Sequence, residues 1–167
     1  MRAFAALTAA FAAVGAALFA LAGAMLTYEV VARYFFTAPT IWAAELSQLC
    51  LIWGTLLAMA QVLARGRHIA VDAVAAQLPR PVRRLTETLA MAVIAGFAAI
   101  TAAYGWTIFW DSFERGRTTG SMLDLPAWLA ELPVPLGCAV LFVQALISMR
   151  DAWAGRWIEA GHGEGER

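Results

Sequence analysis

Three charged side chains, Glu29, Arg33 and Glu45, stand near the ends of two long apolar runs. Glu29 precedes Arg33 by four residues, the order that favours an ion pair along one helix. Arg33 would lie near a helix C-terminus and Glu45 near a helix N-terminus, where the helix dipole favours each charge. Ionisable groups at membrane depth are costly and often functional. The cluster is therefore a structural clamp, a proton- or substrate-handling site, or a contact with a second protein.

Arg33 has two candidate partners, because a turn at Pro39 would bring Glu45 back towards it. These two residues lie at the ends of consecutive antiparallel helices, close enough in principle to pair. The sequence leaves open whether Arg33 pairs with Glu29 or with Glu45. Thr40, just after the turn, is a suitable N-cap for the second helix.

The other residues that could react or bind a metal do not form a recognisable catalytic arrangement. His68 and His162 both lie outside the apolar runs, so neither is placed as an axial ligand of a membrane haem. Cys50 and Cys138 lie inside such runs and are interpreted as small buried apolar residues. No Ser–His–Asp pattern, Gly-rich phosphate loop or metal-ligand spacing is found. The sequence predicts no enzyme activity, no metal site and no cofactor.

Four apolar runs dominate the chain, in which 62% of residues are hydrophobic and 14% are charged. Crossing a bilayer core of about 30 Å takes roughly 20 apolar residues in a helix. The runs are Phe4–Leu26, Ile41–Leu63, Leu85–Trp110 and Pro133–Met149. The predicted fold class is an all-α integral membrane protein with four transmembrane helices and short interfacial helices.

The domain prediction is one four-helix membrane domain over residues 1–158 and a disordered cytoplasmic tail over 159–167. Its helices are expected at about 4–36, 41–64, 85–110 and 133–150. The stretch Ile69–Leu78 is too short to span, and with Asp72 as N-cap it predicts a short interfacial helix. A second short turn is predicted at Leu125–Leu129, anchored by Trp128 at the water–lipid boundary.

Charge predicts the orientation of the helices. All 12 basic residues are Arg, and nine of them fall on one side of the predicted bilayer. Only Arg33, Arg115 and Arg117 fall on the other side. The positive-inside rule therefore predicts that both termini and the central connection are cytoplasmic. The zero net charge gives no reason to expect a nucleic-acid partner.

The first apolar run has an alternative interpretation, because Ala22-Gly23-Ala24 imitates the cleavage site of a secretory signal. The run is longer than the roughly 7–15 apolar residues typical of a signal, which favours a retained helix. In the second run, Trp53 places a large ring beside the bare backbone of Gly54. Small residues allow close helix approach in lipid, either within the bundle or against a partner's helix.

Several short patterns occur together in a characteristic order and spacing. They are Arg33-Tyr34-x-Phe36, Thr40-x-Trp42-x-x-Glu45-Leu46, Trp53-Gly54, Arg65-Gly66-x-His68-Ile69-x-Val71-Asp72, Leu125-Pro126-x-Trp128 and Pro133. From Tyr28 to Arg150 the chain thereby resembles the small membrane (Q) subunit of tripartite ATP-independent periplasmic (TRAP) transporters. It differs in having Ala44 where a second acid is frequent in the family, and Thr40 where Ser is frequent.

The resemblance implies a scaffold that binds a large TRAP permease subunit in the bacterial inner membrane. In that family the large subunit holds the sodium and substrate sites and moves in an elevator fashion. A soluble periplasmic binding protein delivers an organic acid to the membrane pair. The phospholipid bilayer is the third expected partner. The candidate interface or structural residues are Glu29, Arg33, Tyr34, Trp42, Glu45, Trp53, Gly54, His68 and Asp72.

Two other classes of protein fit the sequence less well. A self-contained small multidrug exporter also has four helices, but it needs an embedded carboxylate in helix 1, and Glu29 stands at the far end of that helix. A membrane enzyme or electron carrier lacks the necessary ligands in this sequence. The absence of an internal repeat also argues against a complete inverted-repeat transporter.

Overall fold

The computed structural model describes residues 2–64 and 80–153, and the described part is almost entirely helical. Four of its helices are long and apolar enough to cross a membrane, in agreement with the predicted all-α membrane fold. The fifth is a four-residue turn within the last connection. The helices are α1 (Arg2–Phe36), α2 (Trp42–Ala64), α3 (Arg80–Glu114), α4 (Trp128–Glu131) and α5 (Pro133–Trp153).

Helix α3 is longer than the apolar run Leu85–Trp110 at both ends. Its described part begins at Arg80, before the apolar run. Its far end continues through a polar turn to Glu114. The predicted interfacial helix Ile69–Leu78, His68, Asp72 and the tail 159–167 lie outside the described residues.

A seam of small and polar residues joins α1 to α2. Thr8, Gly15, Ala22 and Glu29 are all buried and follow one another at intervals of seven. The hydroxyl of Thr8 donates to Gln61 Oε1 at 2.7 Å, so the two helices are tied together near the end of α2. A seven-residue repeat keeps one stripe of each helix facing its neighbour, as in a coiled coil.

The closest approach within this seam is between two glycines. A Cβ on Gly15 would lie 2.7 Å from the carbonyl oxygen of Gly54, and one on Gly54 would lie 3.1 Å from that of Gly15. The two backbones therefore touch directly. In lipid, helix association depends on such close packing because hydrocarbon tails are as apolar as the side chains. Gly54 thus serves packing within the chain, one of the two roles left open by the sequence.

Helix α5 connects the other two long helices of the bundle. Gly137 of α5 lies against Leu56 of α2, where a Cβ would be 2.8 Å from the Leu56 carbonyl oxygen. Gly105 of α3 packs against Pro135 in the first turn of α5. A small apolar core fills the space among α2, α3 and α5, formed by Leu63, Ala95, Ala98, Leu141 and Ala145.

The principal helix contacts place the four spans in the order α1, α2, α5, α3. Both α2 and α5 begin at the end of the bundle where the turn at Pro39 lies. These two central helices are therefore parallel. The row is curved, because Phe19 of α1 and Ile94 of α3 both border one apolar groove along α2. The outer helices α1 and α3 thus form the two edges of the bundle.

We expect Gly15→Ala to destabilise the bundle by about 1–3 kcal/mol, since the new methyl meets backbone rather than a flexible side chain. Gly23→Ala in the same helix is the matched control, because a Cβ there meets nothing within 4 Å. Thermal unfolding of each purified variant in one detergent measures the difference. Equal or higher stability of Gly15→Ala relative to Gly23→Ala would contradict the close crossing.

Candidate functional site: the polar clamp and the anchored connection

The carboxylate of Glu29 is the centre of a hydrogen-bond network that closes the α1–α2 hairpin. Glu29 is only 5% exposed. Its Oε1 accepts from Arg33 Nε at 3.1 Å and from Arg33 Nη2 at 2.6 Å. Its Oε2 accepts from the backbone N–H of Thr40 at 2.8 Å and from the Thr40 hydroxyl. One buried acid therefore satisfies donors from both sides of the turn.

The structure identifies Glu29 as the partner of Arg33. The pair is a salt bridge within α1, one helical turn apart, and the Arg33 side chain is 57% exposed. The alternative pairing of Arg33 with Glu45 is wrong, because the Glu45 carboxylate is bonded to a different segment. The expected N-cap role of Thr40 is also wrong, since its hydroxyl donates to Glu29 and α2 begins at Trp42.

Glu45 holds the long connection between α3 and α5. Its Oε2 accepts from the hydroxyl of Ser121 at 2.7 Å, and its Oε1 accepts from the backbone N–H of Leu123 at 3.3 Å. The connection is itself ordered by backbone bonds, including Thr119 N–H to the Leu125 carbonyl at 2.8 Å. The carboxylate thereby ties a segment 76 residues away in sequence to the first turns of α2.

Trp53 is a second anchor for the same connection. Its indole N–H donates to the carbonyl oxygen of Leu129 in α4 at 2.9 Å. A partly buried indole N–H is stabilised by such a partner, and α4 offers carbonyls because it ends after a single turn. The role of Trp53 is therefore a polar contact within the chain. Sequence reasoning identified Glu45 and Trp53 but not their partners Ser121, Leu123 and Leu129.

Aromatic side chains surround this end of the bundle. Tyr28 of α1 stacks on Trp42 of α2 with ring centroids 5.9 Å apart, directly beside the clamp. Phe113 of α3 meets Trp128 of α4 edge to face at 6.0 Å. Tyr34, by contrast, is 78% exposed at the end of α1. Of the predicted site residues that are described, Tyr34 presents the most open side chain.

The arrangement is suited to holding helices together rather than to catalysis. The Glu29 and Glu45 carboxylates are both engaged by donors from other parts of the chain. Asp111, at the end of α3, pairs with Arg115 at 2.7 Å and lies 3.4 Å from Arg117. Over residues 2–64 and 80–153, no group of three or more His, Cys, Asp and Glu side chains is placed to hold a metal ion.

The fold and these contacts define a multi-pass helical membrane protein whose polar side chains fix helix ends and a connecting segment. Residues 22–155 match the DctQ component of the tripartite ATP-independent periplasmic transporters. The match covers most of the chain, including the clamp, both anchors and all four spans in whole or in part. The chain belongs to this family of transporter components, which favours that class over a self-contained exporter.

A curated relative supports the same assignment. Over 101 residues the chain is 28% identical to the C4-dicarboxylate TRAP transporter small permease protein DctQ of Rhodobacter capsulatus. The aligned region is 60% of this chain and 44% of that protein. The chain therefore matches less than half of the length of the relative.

The clamp is tested by double-mutant cycles on folded protein yield and thermal stability. We expect Glu29→Ala and Arg33→Ala to be non-additive, with a coupling of about 0.5–1 kcal/mol because Arg33 is half exposed. Arg33→Ala and Glu45→Ala should add within about 0.3–0.5 kcal/mol, as expected for independent sites. Glu29→Ala should be the more harmful change within the clamp, since it also leaves the Thr40 donors without their acceptor.

The charge swap Arg33→Glu with Glu45→Arg provides a stricter check. It should not restore stability, because each new side chain would face the unchanged partners of the old one. Recovery of stability by the swap, or coupling between residues 33 and 45 larger than that between 29 and 33, would contradict the network.

Proposed function

We propose that the chain scaffolds a large, sodium-coupled TRAP permease subunit during secondary active uptake of an organic acid. A soluble periplasmic protein would capture the acid and deliver it to the membrane pair. The small chain would enlarge the static part of the large subunit and would itself bind neither the coupling ion nor the substrate. This proposal rests on the family to which the chain belongs.

The distribution of charge is the observation that best supports a scaffolding role. The sequence has no charged residue from Ala3 to Tyr28, from Leu46 to Ala64, from Thr88 to Trp110 or from Leu132 to Met149. A transport site for an organic anion or a cation near the bilayer centre needs charged or broken-helix groups at that depth. The described helices are continuous through these stretches, apart from Leu132, which directly precedes α5.

The engaged carboxylates add a second line of support. A proton- or substrate-handling acid must exchange its partners during transport, whereas Glu29 and Glu45 each bridge two segments of this chain. Breaking either set of bonds would loosen a helix end. Their geometry suits a rigid frame, against which a moving domain of another protein can work.

A carboxylate is the class of substrate that we propose for the complex. The R. capsulatus relative is described as part of a C4-dicarboxylate transporter, so a dicarboxylate is the first candidate to assay. Because the scaffold would not contact the acid, changes in this chain should alter transport rate or assembly and leave substrate preference unchanged.

Orientation provides a direct test of the proposed arrangement in the inner membrane. We expect reporters fused after Arg84 or at Arg167 to indicate cytoplasm, and one inserted beside Arg117 to indicate periplasm, since nine of the 12 Arg residues favour the cytoplasmic side. Paired alkaline phosphatase and green fluorescent protein fusions provide the measurement. The opposite pattern would place the clamp in the cytoplasm and contradict the proposal.

The assembly test uses liposomes with the chain alone, or with a large TRAP permease and its binding protein. We expect sodium-driven uptake of a dicarboxylate only from the complete set, because the small chain has no charge at mid-membrane depth. Uptake by the purified chain alone would contradict the scaffolding role. So would undiminished uptake when the chain is omitted from the set.

Tyr34 offers a matched pair of variants for the same assembly. We expect Tyr34→Ser to lower recovery of the large permease in a mild-detergent purification, since this ring projects from the end of α1 near the clamp. Tyr104→Ser removes a ring of similar exposure, 69%, from the outer face of α3 and serves as control. Equal recovery with both variants would exclude Tyr34 from the contact.

A further inference from the structure

The carboxylate of Glu131 has no partner in the described part of the chain. Glu131 is the last residue of the short helix α4, and its Oε2 is buried without a hydrogen bond. No hydrogen bond or ion pair within residues 2–64 and 80–153 involves its other oxygen. The other helical acids at this end of the bundle each receive a hydrogen bond or an ion pair; they are Glu29, Glu45, Asp111 and Glu114.

The depth of Glu131 makes this missing partner costly. Glu131 directly precedes the charge-free stretch from Leu132 to Met149, which Arg150 follows. Leu132 is also helical in conformation, so Glu131 and Arg150 are separated by about 28 Å at 1.5 Å per residue. This distance is slightly less than a hydrocarbon core of roughly 30 Å. The carboxylate therefore lies at the edge of the apolar layer, and an unpaired charge at that depth is unfavourable.

The start of α5 cannot supply the missing donors. The first N–H groups of a helix normally stabilise an acid placed beside them. Two of the first three residues of α5 are Pro133 and Pro135, which have no N–H. In a continuous helix the N–H of residue 133 would bond to the Leu129 carbonyl, and the indole of Trp53 takes that place. Trp53 thus replaces one missing donor, whereas no described side chain donates to Glu131 Oε2.

Glu131 is held in position, so its carboxylate is a preorganised acceptor. Leu129 is bonded to Trp53 two residues before it, and Pro133 is fully buried two residues after it. Glu131 keeps partial exposure, which lets a donor approach from outside the chain. A fixed acceptor loses little freedom on binding. We propose that the Glu131 carboxylate binds a cationic side chain, Arg or Lys, of the large permease subunit, an inference that rests on the proposed function.

A metal ion and a lipid head group suit this position less well. A bound metal ion takes several oxygen ligands, and Glu131 belongs to no group of three or more metal-binding side chains in the described ranges. The amine of a phospholipid could neutralise the carboxylate, but it is mobile and gains little from an acceptor that is fixed in place. The long stem of Arg or Lys allows a charged group to reach a partly buried acid from a neighbouring helix.

The first measurement is recovery of the large permease with the full-length chain, after co-expression and purification in mild detergent. Glu131→Gln keeps the size of the side chain and removes its charge, so we expect recovery to fall about tenfold. Glu131→Met, also uncharged and of similar size, should give the same loss. Asp124→Asn is the matched control and should leave recovery unchanged. Asp124 is exposed in the same connection, and Asn tolerates its φ of 49°.

The second measurement is the thermal stability of the purified chain alone, for which the expected effect has the opposite sign. Glu131→Gln should unfold at the same temperature as the unmodified chain or at a higher one, because an uncompensated charge is removed. A lower unfolding temperature, or failure to fold, would mean that the carboxylate serves the fold, and would overturn the proposal.

Three outcomes of the purification would also overturn it. Recovery with Glu131→Gln equal to that with Asp124→Asn excludes the contact and leaves the scaffolding role intact. Unchanged recovery together with loss of co-purified phosphatidylethanolamine, measured by mass spectrometry, assigns the carboxylate to a lipid head group. If the unmodified chain recovers no large permease, the scaffolding role itself is contradicted, and this inference falls with it.

Discussion

The buried carboxylate of Glu29 fixes the geometry on which the rest of the bundle depends. A nearly inaccessible acid is tolerated only where donors compensate for lost hydration. Here Arg33 supplies them from the same helix, and Thr40 from beyond the turn. These hydrogen bonds to Glu29 fix where α2 starts relative to α1. They therefore also fix which residues meet along the seam. Gly15 lies beside Gly54 and Thr8 beside Gln61 because the hairpin begins in that register.

Helix α2 packs against α1, α5 and the short α4, so it joins one hairpin of the bundle to the other. One face meets α1 through glycine, and another meets α5 through Leu56 and Gly137. Its first turns hold the distant connection by Glu45, and its middle holds α4 by Trp53. Its second half borders the apolar groove. A single span thus contacts one edge of the bundle, the connection and the groove, while α5 positions the other edge.

Much of this architecture could be predicted from residue types alone. Four spans follow from the length of the apolar runs, and the start of α5 follows from Pro133 and Pro135. Glu29 and Arg33 could be recognised as a pair by their spacing. The choice between Glu29 and Glu45 could not be made, because it depends on Ser121 and Leu123, far away in sequence. The role of Thr40 was also hidden, since a hydroxyl before a helix suits either a cap or a side-chain acceptor.

The order of the helix contacts has a consequence for how the protein is made. Helices α1 and α2 are consecutive spans that pack together, and so are α3 and α5. Each pair can therefore enter the bilayer as a hairpin during synthesis, with its own contact already formed. The contacts of α5 with α3 and with α2 both form only after this last span has emerged. Packing between consecutive spans keeps the sequence separation of contacting residues low, which favours rapid folding. It also limits the time for which the surface of α5 around Gly137 stays open to neighbouring chains in a crowded membrane.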